Sequence, residues 1–431
     1  MLFNMSPLVA LVPLVIYIIF AFKDINPVLN VVICVILSAI LTKQPLLAMG
    51  EVIADSLGSF LSLIGFIIML GSGLGAVLKK TGVAENIVLT LMKRIGINTE
   101  KKAIVASMIT SCILVALLGT LAGANAIIAP IIITLVAIIG ITPSTLAAIF
   151  QGAGQTGLFI GPYSPQVVTI MGLMGMTYTQ YLLSAGLPVA VICWVVTYFM
   201  ALRIQKNTKG KYMYDNVEKP NPNYKATKET QNATIAFAVS LILLLAYGIY
   251  AKQGAAYAVI IMFTVSIITG VAGRLNLGDL FDTFLEGAGR MVWLFVMFVL
   301  FNPFISFVEE SGAFTVLVNL LHPLLASGNK VIFSLVSTLT GIFGIGGAAV
   351  AQSVVMDKMF KGLVTGLGVS SGLWAAILLV GSQITSFAYP EADMLGQMGL
   401  ARSKDLKSMV KLGLTITAAT VIFIVIKSFF G

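Results

Sequence analysis

Apolar runs of about 20 residues recur along the whole chain, and short polar breaks separate them. A run of that length spans the hydrocarbon core of a bilayer, which is about 30 Å thick, as an α-helix. The chain has 431 residues, of which 58% are hydrophobic and 10% are charged, and this balance excludes a soluble globular protein. The pattern therefore predicts an all-α polytopic membrane protein.

The polar breaks divide the chain into two similar halves, residues 1–203 and 233–431, joined by a basic linker over 204–232. In the first half the pattern predicts helices over about 7–22, 27–42, 60–78 and 180–203, a partly helical connection over 44–59, an amphipathic helix over 83–96, a hairpin over 103–139, and a helix over 144–176 broken at 161–165. In the second half it predicts helices over about 233–251, 254–272, 290–308 and 408–429, an amphipathic segment over 276–289, a hairpin over 331–366, and a broken helix over 372–400. The first run lacks a basic leader and a clear cleavage site, so we expect a retained helix.

Two Gly- and Pro-broken segments occupy matching places in the two halves. The first runs from Gly154 to Pro165, and the second runs from Gly381 to Asp393 and includes Pro390. Pro165 and Pro390 are 225 residues apart, and the same offset relates two Gly-rich hairpin tips. Matched broken segments in two halves are the best sequence pointer to the binding site of a transporter.

The charge distribution predicts how the halves lie in the membrane. Each half has about five crossings plus one re-entrant hairpin, and an odd number makes the second half inverted relative to the first. With this topology, most of the 26 lysine and arginine residues fall on the side that carries the 204–232 linker. Because positive charge favours the cytoplasm, the linker is predicted to be cytoplasmic and both termini extracytoplasmic.

Breaks and hairpin tips leave backbone groups unpaired, and polar side chains beside them are candidates for substrate or ion binding. In the first half these candidates are Thr120, Gly123, Asn125, Gln155, Thr156, Tyr163 and Ser164. In the second half they are Gly346, Gly347, Gln352, Ser353, Ser382, Gln383, Thr385, Ser386, Tyr389, Glu391 and Asp393. Glu391 and Asp393 suit proton or Na⁺ coupling, since buried carboxylates are costly in a membrane.

Each feature has a structural alternative. Gly-rich segments also mark close helix packing, and the two carboxylates could reach the membrane interface. Three separate cysteines and one histidine form neither a metal site nor a disulfide pattern, so we expect no cofactor beyond a coupling Na⁺ or H⁺. No nucleophile–base pair or nucleotide-binding loop is visible, which argues against an enzyme. The net charge of +9 comes mostly from lysines and arginines on the predicted cytoplasmic side of the membrane, so it does not indicate binding to nucleic acid.

The chain resembles the ion transporter superfamily of secondary carriers over nearly its whole length. The resemblance rests on Gly71-Ser-Gly-Leu-Gly75 through Lys79-Lys-Thr-Gly82, the two hairpins and the two broken helices. It is similar to the gluconate permease and to related Na⁺/H⁺ antiporter and organic-acid carrier families, most clearly at Gly344–Gly347, Gly381-Ser-Gln383 and Pro390-Glu391. This implies a scaffold with a mobile transport domain, a homodimer and an elevator-like motion. The Ser-Asn-Thr signature of the dicarboxylate and citrate branch is absent from both hairpin tips, which argues against those substrates.

Together these observations predict a secondary transporter of the bacterial inner membrane. It would move a small organic acid or amino acid by symport with H⁺ or Na⁺. The first alternative is a Na⁺/H⁺ antiporter without an organic substrate, and the second is a channel. An antiporter would move cations without any solute, and a channel would not concentrate solute against a gradient.

Overall fold

A computed structural model describes residues 6–430 with several gaps, and the described residues form helices without a strand. The gaps are 24, 46, 48, 216–225, 252, 254–255, 314–315, 317–328 and 345–348. The predicted all-α class is therefore confirmed for the described part of the chain.

The first half contains twelve α-helices in the predicted order. They are α1 Val12–Phe22 (after a short 3₁₀ turn, Pro7–Leu11), α2 Pro27–Thr42, α3 Met49–Ser56, α4 Phe60–Lys80, α5 Val83–Ile95, α6 Glu100–Leu118, α7 Leu121–Ala137, α8 Pro143–Ile149, α9 Gln155–Ile160, α10 Pro165–Met174, α11 Tyr178–Tyr181 and α12 Leu187–Thr208.

The described second half follows the same plan. Its helices are α13 Lys228–Tyr250, α14 Tyr257–Ala272, α15 Leu277–Gly289, α16 Val292–Glu310, α17 Lys330–Leu339, α18 Ala349–Gly366, α19 Ser371–Gln383, α20 Thr385–Ala388, α21 Ala392–Leu400 and α22 Leu406–Ser428. The order of elements matches the first half, while their inversion in a membrane stays a prediction.

Local sequence explains where the helices of the first hairpin meet. Gly119 ends α6 in the left-handed region (φ 66°), a conformation that glycine adopts without a Cβ clash. Thr120 then begins α7 as its N-cap, and its hydroxyl accepts a 3.0 Å hydrogen bond from the Gly123 amide. Thr120 and Gly123 therefore have a local structural role at this tip.

Three π-helical segments, at Phe150–Gly154, Leu182–Gly186 and Thr340–Gly344, were not predicted. The first joins α8 to α9, the second joins α11 to α12, and the third extends α17 towards the second hairpin tip. A π segment adds one residue to a turn and is frequent at functional sites. Two of the three, Phe150–Gly154 and Thr340–Gly344, lie beside the candidate site described below.

The predicted linker is shorter than expected. Helix α12 continues to Thr208, and α13 begins at Lys228, so helix enters both ends of the 204–232 segment. The Thr227 hydroxyl caps α13 by accepting from the Thr230 amide, and Lys206 lies in the last turn of α12, where the helix dipole favours a cation. The polarity of this segment therefore marks exposed helix ends as well as a loop.

The helices pack in two groups. The first group contains α1–α4 and α13–α16, and the second contains α6–α12 and α17–α22. The amphipathic α5 contacts both groups, and α4 and α16 touch α10 and α18 across the boundary. Each group contains helices from both halves of the sequence, so the two groups do not coincide with the two halves.

Six helical segments of the described residues are long and apolar enough to cross a membrane. They are Phe60–Lys80, Glu100–Leu118, Tyr178–Thr208, Lys228–Tyr250, Val292–Glu310 and Leu406–Ser428.

The tip of the first hairpin lies beside the first break, because Gly119 approaches Pro165 and the carbonyl of Tyr163. Helix α10, which begins at Pro165, is about 15 Å long.

Candidate functional site

The second broken helix forms the centre of the candidate site. Helix α20 ends at Ala388, and the chain is extended at Tyr389 and Glu391 before α21 begins. Pro390 lies between them, and a proline in this position cannot continue a helical hydrogen-bond ladder. Glu391 is the N-cap of α21 and Asp393 lies in its first turn, so both carboxylates lie at the positive end of this short helix.

A cavity of about 550 Å³ opens beside this break, between the two helix groups. The first group contributes Tyr17, Ile25, Pro27, Asn30 and Trp293 to its wall. The second group contributes Gln155, Ala349, Gln352, Ser382, Gln383, Thr385, Ser386, Glu391, Ala392 and Asp393. Eight of the sequence-predicted candidates thus line one space, which is large enough for a small solute.

Gln352 of the second hairpin contacts the second broken helix near its break. Its two Nε2 hydrogens are shared among three acceptors, the carbonyls of Gly341 (2.5 Å) and Gly381 (3.0 Å) and the Thr385 hydroxyl (2.9 Å). Because two of these partners are backbone carbonyls, the orientation of the amide is fixed. The Oε1 atom has no hydrogen-bond partner in the protein, although the residue is only 1% exposed.

The two broken helices meet through side-chain amides. Gln155 at the start of α9 donates from Nε2 to Oε1 of Gln383 at the end of α19, at 2.7 Å. One turn earlier, in the π segment, Gln151 donates from Nε2 to the carbonyl of Ser386 at 3.0 Å. The Oε1 atoms of Gln151 and Gln155 are buried without a protein partner. The first half therefore supplies amides to the break of the second half.

Each hairpin is also tied to a helix of the opposite half. Gln166, directly after Pro165, donates to the hydroxyls of Ser353 on α18 and Ser382 on α19. Asn125 on α7 accepts from Ser111 and donates to Oε1 of Gln397 on α21, both at 2.7 Å. Ser353 and Asn125 thus lie in buried cross-half contacts, and neither lines the cavity.

Several other candidates lie outside this cavity. The Thr156 hydroxyl donates to the Ala153 carbonyl and accepts from Trp194 Nε1 at 2.9 Å, on a different face of α9 from Gln155. Ser164 is buried at the N-terminus of α10, where its hydroxyl donates to the Gly157 carbonyl at 3.3 Å. Tyr389 is half-buried in the extended segment. Gly346 and Gly347 lie outside the described residues.

Tyr163 belongs to a second cavity, of about 430 Å³, beside the first break. Its wall includes Tyr178 and Gln180 from the second helix group, Gln253 from the connection after α13, and Tyr257 from the start of α14. The first cavity is similarly bounded by the ends of α1 and α2, so each break faces a helix pair of the first group. The second cavity has no charged residue among its described lining residues.

The sequence reasoning missed Asn30, Gln151, Gln166 and Gln397. Asn30 is buried on α2, where its amide donates to the Tyr17 carbonyl at 2.9 Å. Gln151 and Gln397 lie in largely apolar sequence and Gln166 directly follows the first break, so each of these positions carried a sequence signal. Gln151 and Gln155 are four residues apart, which places both on one helix face.

Two charged groups near the second hairpin also have partners. The Asp357 carboxylate on α18 is buried and accepts from Trp374 Nε1 at 2.8 Å. Lys358, the next residue, forms a 2.6 Å ion pair with Glu309 of α16, which joins the two helix groups. No group of three or more His, Cys, Asp or Glu residues with metal-site geometry occurs in the described ranges.

Comparisons with known proteins agree with a transporter. The profile of the GntP family permeases matches residues 4–249, which is more than half of the chain. The fold is similar to the YdaH transporter of Alcanivorax borkumensis, whose crystal structure has an unusual topology (TM-score 0.65, 16% identity, 94% of this chain and 97% of that chain). It is also similar to MtrF of Neisseria gonorrhoeae, described within a class of antimetabolite efflux pumps (TM-score 0.62, 14% identity, 93% and 94%). No curated protein sequence matches the chain.

Proposed function

The chain belongs to the GntP family of permeases, and from this premise we propose that it is a symporter of a small organic acid or amino acid driven by H⁺ or Na⁺. The family and the fold make it a membrane secondary transporter. The solute, the coupling ion and the mechanism belong to the proposal. We place the protein in the bacterial inner membrane, with both termini extracytoplasmic and the 204–232 segment cytoplasmic.

One observation carries this proposal: the cavity at the second break has two carboxylates in its wall and lies between two helix groups. Two of its lining residues, Gln155 and Gln352, also have a buried Oε1 without a protein partner, and unpaired buried polar atoms are costly. Glu391 and Asp393 supply negative charge for a coupling cation or for a transferred proton. The boundary between the groups is where an elevator-like movement would change access to the cavity, and we propose a homodimer of such units.

The decisive experiment uses the full chain in liposomes. Organic acids and amino acids are first screened for thermal stabilisation with and without Na⁺, and each hit is tested for uptake under an imposed ion gradient. We expect the gradient to drive uptake, and Glu391→Gln or Asp393→Asn to abolish or uncouple it. Gradient-driven uptake at the wild-type rate in both variants would remove the two carboxylates from the coupling role.

The carboxylate pair also supports a second candidate, a Na⁺/H⁺ antiporter without an organic substrate. Two carboxylates in one cavity suit a cation even when no solute is present. This function would appear as Na⁺-dependent proton movement in solute-free vesicles. Proton movement that requires an added solute would reject it.

A further inference from the structure

A further cavity, of about 400 Å³, opens between α12 and α22 on the surface of the second helix group. Its wall includes Arg203 and Asn207 from α12 and Lys411, Leu414 and Thr415 from α22, and these five side chains are all exposed. Both helices belong to segments that are long and apolar enough to cross a membrane. In a bilayer this α12–α22 groove therefore opens towards lipid.

The outward faces of both helices change from apolar to charged at the groove. On α12, the exposed Val195 and Phe199 precede Arg203 at intervals of four residues, so the three are neighbours along one face. On α22, the exposed Ile422 lies about three turns beyond Lys411 on the same face. Such a change from apolar to basic side chains is typical of the level at which acyl chains meet the phospholipid headgroups.

The groove has positive charge without an acidic counterpart in its wall. None of its described lining residues is aspartate or glutamate, and no ion pair in the described part of the chain includes Arg203 or Lys411. Asp405 is the N-cap of α22, where its carboxylate accepts from the amide and the hydroxyl of Ser408. Its charge is therefore held at the end of the helix, and Asp405 does not line the groove.

The hydrogen-bond donors of the groove suit a phosphate. The Thr415 hydroxyl donates to the Lys411 carbonyl at 2.7 Å, so the guanidinium of Arg203, the ammonium of Lys411 and the amide of Asn207 are the groups that can donate to a ligand. A phosphodiester is negatively charged and offers acceptor oxygens, and arginine can bind it through two parallel N–H bonds.

We infer that the α12–α22 groove binds an anionic phospholipid, whose phosphate lies between Arg203 and Lys411 and whose acyl chain follows the apolar outward face of α12. The surroundings favour a lipid over a free anion, because a groove at this level of the bilayer is in constant contact with phospholipid. Both helices belong to the second helix group, so binding requires neither a solute nor a movement between the groups. The inference is thus independent of the proposed solute and coupling ion.

The test uses the full chain purified in detergent. Phosphatidylglycerol and phosphatidylcholine with identical acyl chains are titrated, and bound lipid is counted by native mass spectrometry. We expect phosphatidylglycerol to bind about tenfold more tightly, since its net charge is attracted by both cations. Inorganic phosphate at millimolar concentration should not displace it, because the free ion has no acyl chain to bury.

Two double variants locate the preference. Arg203→Gln with Lys411→Gln should lower the affinity for phosphatidylglycerol about fivefold for each cation removed and leave phosphatidylcholine unchanged. Lys206→Gln with Lys407→Gln is the matched control, because it removes the same charge from the same two helices at exposed residues outside the described wall of the groove. This control should bind phosphatidylglycerol nearly as tightly as the wild type.

Three results would overturn the inference. Equal affinity of the wild type for the two lipids would remove the preference for an anionic headgroup. An equal loss in both double variants would assign the preference to the basic surface as a whole. Displacement of phosphatidylglycerol by inorganic phosphate would make the groove a site for free anions. Because no uptake is measured, failure of the proposed symport would leave the lipid site standing.

Discussion

At the scale of single residues, Gln352 organises the second break and carries a buried Oε1 without a protein partner. Its Nε2 connects the Gly341 carbonyl within the second hairpin to Gly381 and Thr385 of the second broken helix. A leucine of similar size would fill the space but leave these acceptors unpaired. The same side chain therefore links stability to ligand binding.

We predict that Gln352→Leu lowers the free energy of unfolding by about 1–3 kcal/mol, the usual cost of buried groups left without partners. Thermal unfolding in detergent measures this change, and any stabilisation that a solute gives to the wild-type protein should be lost in the variant. Gln231→Leu is the control, because Gln231 is exposed at the start of α13. Equal unfolding temperatures for both variants would contradict the structural role.

Adjacent residues show how far sequence could identify the site. Gln155 and Thr156 were equally good candidates beside one break, yet Gln155 lines the cavity and Thr156 bonds to Trp194. Successive residues of a helix point about 100° apart, so a polar cluster in sequence divides between faces. The carboxylates were easier to predict as a pair, since Glu391 ends the extended break and Asp393 lies in the first helical turn after it, and both line one cavity.

At the scale of elements, the second hairpin packs closely against α19. A Cβ on Gly341 would lie 2.7 Å from the Cα and 2.8 Å from the carbonyl oxygen of Gly381. These are backbone atoms, so neither can rotate away. The close approach brings both carbonyls within reach of Gln352.

We predict that Gly341→Ala forces the third π segment away from α19 and lowers stability by about 1–3 kcal/mol, as overpacking does in other cores. Gly366→Ala, in the same hairpin, has no atom within 4 Å of the added Cβ and should be neutral or slightly stabilising. Unfolding temperatures and gradient-driven uptake of the two variants give the comparison. Full uptake and stability in Gly341→Ala would show that the close contact is dispensable.

The elements were largely predictable, and their lateral contacts were not. Proline, glycine and capping threonine fix most helix ends locally, so the broken helices and hairpins appear within a few residues of their predicted bounds. The π segments carry no such signal, because one inserted residue does not change composition. The Gln155–Gln383 bond joins residues 228 positions apart, and the spacing of apolar residues does not encode such neighbours.

At the scale of the whole molecule, the ion pair between Lys358 and Glu309 joins the two helix groups. Both side chains are partly exposed, so the pair adds little to stability, about 0–1 kcal/mol. A movement of one helix group against the other would have to separate Lys358 from Glu309. The ion pair would then slow the transport movement, although it contributes little to the stability of the fold.

We predict that Glu309→Gln leaves the unfolding temperature nearly unchanged and raises the initial rate of gradient-driven uptake about twofold to fivefold, since a contact of up to about 1 kcal/mol no longer has to be broken. The rate is measured in liposomes at low and high salt, and the difference between variant and wild type should shrink as salt screens the pair. Glu286→Gln, which removes an ion pair within one helix, should have no such effect. A slower variant would show that the pair supports the movement.

The two broken helices also differ in the charge of their side chains. The offset of 225 residues sets Gln166 opposite Glu391 and Val168 opposite Asp393, so the two breaks differ in charge. With the predicted inversion of the two halves, two identical breaks would present the same groups to either face of the membrane. Glu391 and Asp393 have no charged counterpart at the matching positions of the first half. Under that prediction, these two side chains distinguish one face of the membrane from the other.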